Sequence, residues 1–208
     1  MFVRFKYLLT KFKWKFFWIL REKSEAKKYL HNTNLEHRKI LAETVKSLKV
    51  QNLLDVGCGN GSNIYVIQKF INDSKIQFYG LDLSSASISA AKSRKYIFPY
   101  SVNFIQVDLL NYFKKNKTNF DCVLFDAMLM YLTPKELFSV LQKTALVSKN
   151  LIIHELNSDA ESKTSKNGFI HNYKQIFKSL NFIYSEEKST REDQLWKKFG
   201  KLFVVSTS

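Results

Sequence analysis

The run Leu53-Leu54-Asp55-Val56-Gly57-Cys58-Gly59-Asn60-Gly61-Ser62-Asn63 limits what this chain can fold into more than any other. A short apolar strand meets an acidic residue, three glycines follow on alternate positions, and a helix begins after them. Such a backbone brings main-chain N–H groups close to a ligand, where a Cβ would collide or forbid the dihedrals. The Asp55 carboxylate, at the strand's end, is expected to point into the crevice where open α/β sheets bind their ligands. The spacing is Gly57-x-Gly59-x-Gly61, with Ser62 where a G-x-G-x-x-G dinucleotide loop would place its third glycine. The Gly-Lys-Ser/Thr of a phosphate-binding P-loop is absent.

The rest of the chain has the composition of a soluble globular protein. Its 208 residues suffice for one domain with a sizeable core, and two prolines and six glycines argue against low complexity. Cys58 and Cys122 lie in or beside apolar strands and read as small buried hydrophobes in a reducing compartment, so a cytoplasmic location is expected. No Cys/His cluster has zinc spacing, and no metal is expected. The formal net charge of +15 favours an anionic partner, or reflects a lysine-rich composition.

Residues 1–34 form a separate basic, aromatic extension, and residues 35–208 the main domain. Met1 to Leu20 contains no acidic residue. On a helix, Phe2, Phe5, Leu8, Leu9, Phe12, Phe16, Ile19 and Leu20 fall in one arc roughly 120° wide, flanked by lysines. Such a face packs on the domain or on a second subunit as a homodimer, or lies on an anionic membrane surface through residues 2–20. Nucleic-acid contact ranks after these. The segment is too short in apolar run to span a bilayer or to serve as a signal peptide. At most, then, the protein is peripheral at the inner face of the membrane.

Five strands alternate with helices from Asn52 onward, which argues for βαβ units and a mostly parallel sheet. The strands are expected at 52–56, 76–81, 102–107, 121–125 and 150–154. Helices follow at 62–71, 84–95, 109–115 and 134–147, the last with Thr133 as N-cap and Pro134 at its first position. A helix over 35–48 precedes the set. A helix near 171–180 and strands at 182–186 and 202–206 end the chain. The polar connector 157–168 falls where a substrate lid could sit.

The acidic-x-Gly-x-Gly-x-Gly loop, with acidic residues closing the following strands, resembles the class I S-adenosylmethionine-dependent methyltransferases. That resemblance implies a Rossmann-like seven-stranded sheet with a C-terminal antiparallel strand, and S-adenosyl-L-methionine as cofactor. Asp55, Gly57, Cys58, Gly59 and Gly61 correspond to the first motif. Asp82, 21 residues past Gly61, corresponds to the acid that accepts hydrogen bonds from the ribose hydroxyls. Leu83 would then pack on the adenine. Asp108 would accept from the adenine amino group, with the Leu109 backbone at the ring nitrogen. Asp126, in Phe125-Asp126-Ala127-Met128-Leu129-Met130-Tyr131-Leu132, falls in the fourth motif, beside the methionine moiety.

A hydroxyl acceptor must also lose its proton. His154 and Glu155, adjacent at the end of the fifth strand, are candidate bases, and alternation allows only one of them to face the cleft. His171, opening a later helix, is a third. Each has a plainer reading as a structural polar residue or cap. The Asn/Asp-Pro-Pro-Tyr signature of amino-group methylation is absent after Phe125, which favours oxygen. The expected acceptor is a small molecule, a glycan or a lipid-linked precursor. An RNA methyltransferase, or a catalytically silent binding subunit, is the rival reading.

Overall fold

A computed structural model of the chain describes residues 36–93, 98–115, 118–160, 162–165, 168–191 and 193–207. The expected amphipathic extension over 1–34 lies outside them. The chain begins its described part with α1 (Glu36–Ser47) and then alternates β1 (Asn52–Val56), α2 (Ser62–Ile71), β2 (Gln77–Asp82), α3 (Ser85–Ser93), β3 (Val102–Gln106), α4 (Leu109–Lys115) and β4 (Cys122–Asp126). A 3-10 turn (Leu129–Tyr131) leads to α5 (Pro134–Ala145) and β5 (Asn150–Leu156). The remainder is β6 (Lys163–Ser165), β7 (Gly168–Ile170), α6 (Tyr173–Ser179), β8 (Ile183–Lys188), α7 (Gln194–Phe199) and β9 (Gly200–Ser206).

Seven strands form one sheet in the order β3-β2-β1-β4-β5-β9-β8. The first five are parallel, and β9 runs antiparallel to both β5 and β8. The chain reverses direction across the sheet at β1 and β4, which opens a crevice at their C-terminal ends.

Why the central strands read as unbroken apolar runs is clear from their two faces. Leu53, Leu124 and Ile152 pack on one side against Leu41 and Val45 of α1 and Ile64 and Ile67 of α2. Leu54, Val123, Phe125, Leu151 and Ile153 pack on the other, against Leu137 and Leu141 of α5 and Tyr173 and Phe177 of α6. Every position is therefore inside. α5 starts where expected: Thr133 accepts from the Glu136 N–H, the Glu136 carboxylate accepts from the Thr133 N–H, and Pro134 needs no donor there.

Two elements depart from the sequence reading. The connector after β5 holds the hairpin β6–β7, and Gly168 packs directly on the Met130 carbonyl. Three-residue strands with one buried apolar pair are too short to show an alternation. The short helix α7 is capped by Asp193, which accepts from the Leu195 and Trp196 N–H groups. Among the described residues no helix is long and apolar enough to cross a membrane.

Candidate active site at the carboxyl edge of the sheet

Between β1 and α2 the backbone passes through three left-handed positions, Gly57 (φ 73), Gly59 (φ 56) and Gly61 (φ 76). The Gly57 and Cys58 N–H groups donate to the Leu81 carbonyl at 2.8 and 2.9 Å, which pins the loop to the end of β2. A Cβ on Gly57 would overlap the Met128 side chain, whereas one on Gly59 meets none of the described residues within 4 Å. Gly57 is thus required by packing within the protein, and Gly59 faces open space.

Asp82 stands on the rim of that space. Its Oδ2 accepts from the Gly59 N–H at 2.9 Å and its Oδ1 from the Ser84 N–H at 2.8 Å. Burial pushes its carboxyl up, against those same N–H groups and that of Leu83. Leu83 is half-buried, and its carbonyl accepts from Gln106 Nε2 at 3.5 Å. Asp108 Oδ1 accepts from the Leu110 and Asn111 N–H groups at 3.1 and 3.3 Å, the geometry of an N-cap on α4. Leu109 is half-buried against the second core cluster.

Asp55 lies beneath the loop, 1% exposed, with no hydrogen-bond partner for Oδ2. Burial pushes its carboxyl well up; Asp126 and Asp82 add to the shift and Arg38 opposes it. The Cys58 thiol is raised mainly by burial as well. Asp55, Asp82 and Asp126 thus lie near enough for their charges to interact.

At the end of β4, Asp126 collects partners from four other elements. His154 of β5 meets its Oδ1 at 2.8 Å, and Arg191, after β8, binds the same oxygen. Asn63 of α2 donates to Oδ2 at 3.1 Å, and His37 of α1 lies 3.6 Å from it. Burial alone would raise this carboxyl, but Arg191, His154 and His37 outweigh it and hold it well below 3.8. The second nitrogen of His154 meets Ser189 Oγ at 2.7 Å, and burial lowers this imidazole's pKa despite Asp126. The Arg191 guanidinium sits 4.2 Å above the Trp196 ring. His37, Asp126 and His154 offer ligand atoms within 4.8 Å of one another. Arg191 and His154 share Asp126 Oδ1, and Asn63 takes Oδ2, so three donors already engage this carboxylate.

Glu155 points the other way from His154, as strand alternation requires. Its Oε1 accepts from both the Met128 and Leu129 N–H groups at 2.6 Å, bracing the turn after β4. Burial pushes its carboxyl up to about 8. His171 is fully buried, stacked on Phe169, with Nδ1 3.4 Å from Ser162 Oγ. Burial lowers its pKa to about 4, against the Leu132 and Leu129 carbonyls.

A family model described as "Methyltransferase domain" matches residues 48–203, from the end of α1 into β9. The chain belongs to that methyltransferase family. No curated protein matches the sequence. Among solved structures, magnesium protoporphyrin IX methyltransferase (ChlM) from Synechocystis PCC 6803, with bound SAM, has a TM-score of 0.63 at 16% identity, covering 88% of this chain and 84% of that one. The plantazolicin methyltransferase BpumL, with a triazolic desmethylPZN analog and SAH, reaches 0.69 at 15% identity over 98% and 99%. The mitomycin 7-O-methyltransferase MmcR reaches 0.64 at 10% identity over 86% and 55%. At these identities the likeness is one of fold.

In this methyltransferase the sequence reading omitted His37, Asn63, Ser189, Arg191 and Trp196. His37 sits in the mixed-charge string Glu36-His37-Arg38-Lys39, which reads as a solvated helix face. A carboxyl pushed up to about 8 also makes Glu155 a pH-dependent liability. Between the unfolded value near 4.5 and about 8 the native state holds a proton that the unfolded chain has released. That group's contribution thus falls as pH rises through the window, by about 1.4 kcal/mol per pH unit. Urea titrations from pH 5 to pH 8 should show a flatter profile for Glu155→Gln than for the wild type; parallel profiles would contradict the shift.

Proposed function

We propose that the protein transfers the methyl group of S-adenosyl-L-methionine to an oxygen of a small-molecule acceptor, a glycan or lipid-linked precursor included. The observation that carries the reading is the open face of Gly59 beside the Asp82 carboxylate. A ribose there could donate its two hydroxyls to Asp82, whose oxygens each keep a lone pair beyond the one used by Gly59 or Ser84. Gly57, Cys58 and Gly61 shape the loop, Asp55 lies beneath it, and Leu83, Asp108 and Leu109 border the adenine side. Asp126 borders the methionine end. The cofactor, when bound, supplies an activated methyl on a sulfonium. The chain's own residues bind it, orient it and exclude water. Compounds named for proteins of this fold, magnesium protoporphyrin IX, a triazolic desmethylPZN analog and mitomycin, support a small molecule.

The basic aromatic segment over 2–20 supports a further contact, with an anionic membrane surface or a second subunit. The net charge of +15 favours RNA as the rival acceptor; salt-dependent RNA binding at low ionic strength would support that rival.

Calorimetry with S-adenosylhomocysteine is the direct test, and binding is expected; a flat titration would favour the silent subunit. Gly59→Ala refines it. No described residue opposes the added methyl, so folding should lose only about 1 kcal/mol for the left-handed backbone. Binding should fall much further, because the methyl fills the cofactor's space. Equal losses in thermal stability and in affinity would mean that Gly59 does not face the ligand.

A further inference from the structure

We propose that His37 takes the proton from the acceptor hydroxyl. The inference rests on the reading of methyl transfer to oxygen. Three histidines are described; one has both nitrogens engaged and another has no exposed surface. His154 has one nitrogen on Asp126 and the other on Ser189. His171 is fully buried between Phe169 and Tyr173, with Nδ1 3.4 Å from Ser162 Oγ, and offers an acceptor no surface.

His37 is placed differently. It projects from α1 toward the crevice and stacks on the His154 ring, with centroids 5.3 Å apart and planes at 23°. Its Nε2 faces Asp126 Oδ2 at 3.6 Å. A proton on Nε2, toward the carboxylate, leaves the lone pair on Nδ1, and no hydrogen bond from the described residues engages Nδ1. That is the arrangement a general base needs: one nitrogen beside an acid, the other unengaged among the described residues.

The step balances within these groups. As the acceptor oxygen bonds to the methyl carbon, the carbon–sulfur bond breaks and its electron pair goes to sulfur, leaving a neutral thioether. The acceptor's O–H proton moves to His37 Nδ1, and the resulting imidazolium faces the Asp126 carboxylate. The other groups around His37 are the His154 ring from β5, the Asn63 amide of α2 and, across Asp126, the Arg191 guanidinium. The proton then passes from His37 to solvent, which returns the imidazole to its starting state.

The test uses the full chain. Long-range nitrogen NMR of the imidazoles, assigned by loss of one set of signals in His37→Gln, should show the His37 proton on Nε2; the reverse tautomer overturns the proposal without any acceptor. Methyl transfer to two probes then reads the role itself. One is 4-nitrophenol, largely ionised in mild base, and the other is phenol, which keeps its proton. In His37→Gln the ratio of the phenol rate to the nitrophenol rate should fall about 10²-fold relative to the wild type. An unchanged ratio overturns the assignment. Failure of the wild type to bind S-adenosylhomocysteine would instead overturn the methyltransferase reading, and calorimetry reports that separately.

Discussion

Replacing Asp126 with alanine is expected to cost about 3–5 kcal/mol of folding stability, the largest single-residue effect at the site. The change strands Arg191 and the His154 Nδ1–H, and removes the acceptor of the Asn63 amide. Breaking one side of a buried ionic cluster leaves the other side desolvated and uncompensated, which costs more than the cluster contributes when whole. Arg191 is 23% exposed, so water can recover part of its solvation and the lower end of the range is the better guide. Because the Asp126 carboxyl is held well below 3.8, its stabilising contribution is complete at neutral pH and is lost only as pH falls through that depressed value. Urea unfolding at pH 7 measures the cost, and a loss under about 1 kcal/mol would mean that solvent already screens the cluster. Asp126→Asn keeps an acceptor for one donor and should fall between the wild type and alanine.

Asp82→Ala should act mainly on binding. The loss of two charge-assisted hydrogen bonds to a ribose corresponds to about 1.5–3 kcal/mol, or roughly ten- to 150-fold in the dissociation constant of S-adenosylhomocysteine. Asp82 also holds the Gly59 N–H, so part of the loss comes from a loosened loop. Asp82→Asn separates the two contributions. It retains an acceptor for Gly59 but presents an amide to one hydroxyl, and its affinity should recover only in part. Unchanged affinity in both variants would remove Asp82 from the ribose.

The sheet was legible because its signals are local. β1 occupies the expected 52–56, and α2 and α4 the expected 62–71 and 109–115, since each is framed by glycine, an acid or a polar cap within a few residues. The crevice's contents were only half legible. Asp82 and Asp126 stand at strand ends where a topological rule places ligands, so position alone drew attention to them. Arg191 meets Asp126 across 65 residues, and His37 meets it from α1, which precedes every strand of the sheet. No periodicity or spacing encodes such a meeting. Glu155 and His154 carry the converse lesson. Adjacent in sequence and similar in chemistry, they fall on opposite sides of β5, and only the packed sheet says which one joins Asp126.

β9 is hydrogen-bonded along one edge to β5 and along the other to β8. During synthesis, the edge of β5 therefore stays open, and β8 has no neighbour at all, until residues 200–206 have left the ribosome. The parallel half from β3 to β5 can assemble beforehand, but it does so with Leu151, Ile152 and Ile153 on an unprotected border. The interval before β9 inserts is when a nascent chain of this kind is most open to pairing with another, and the insertion of one strand ends it.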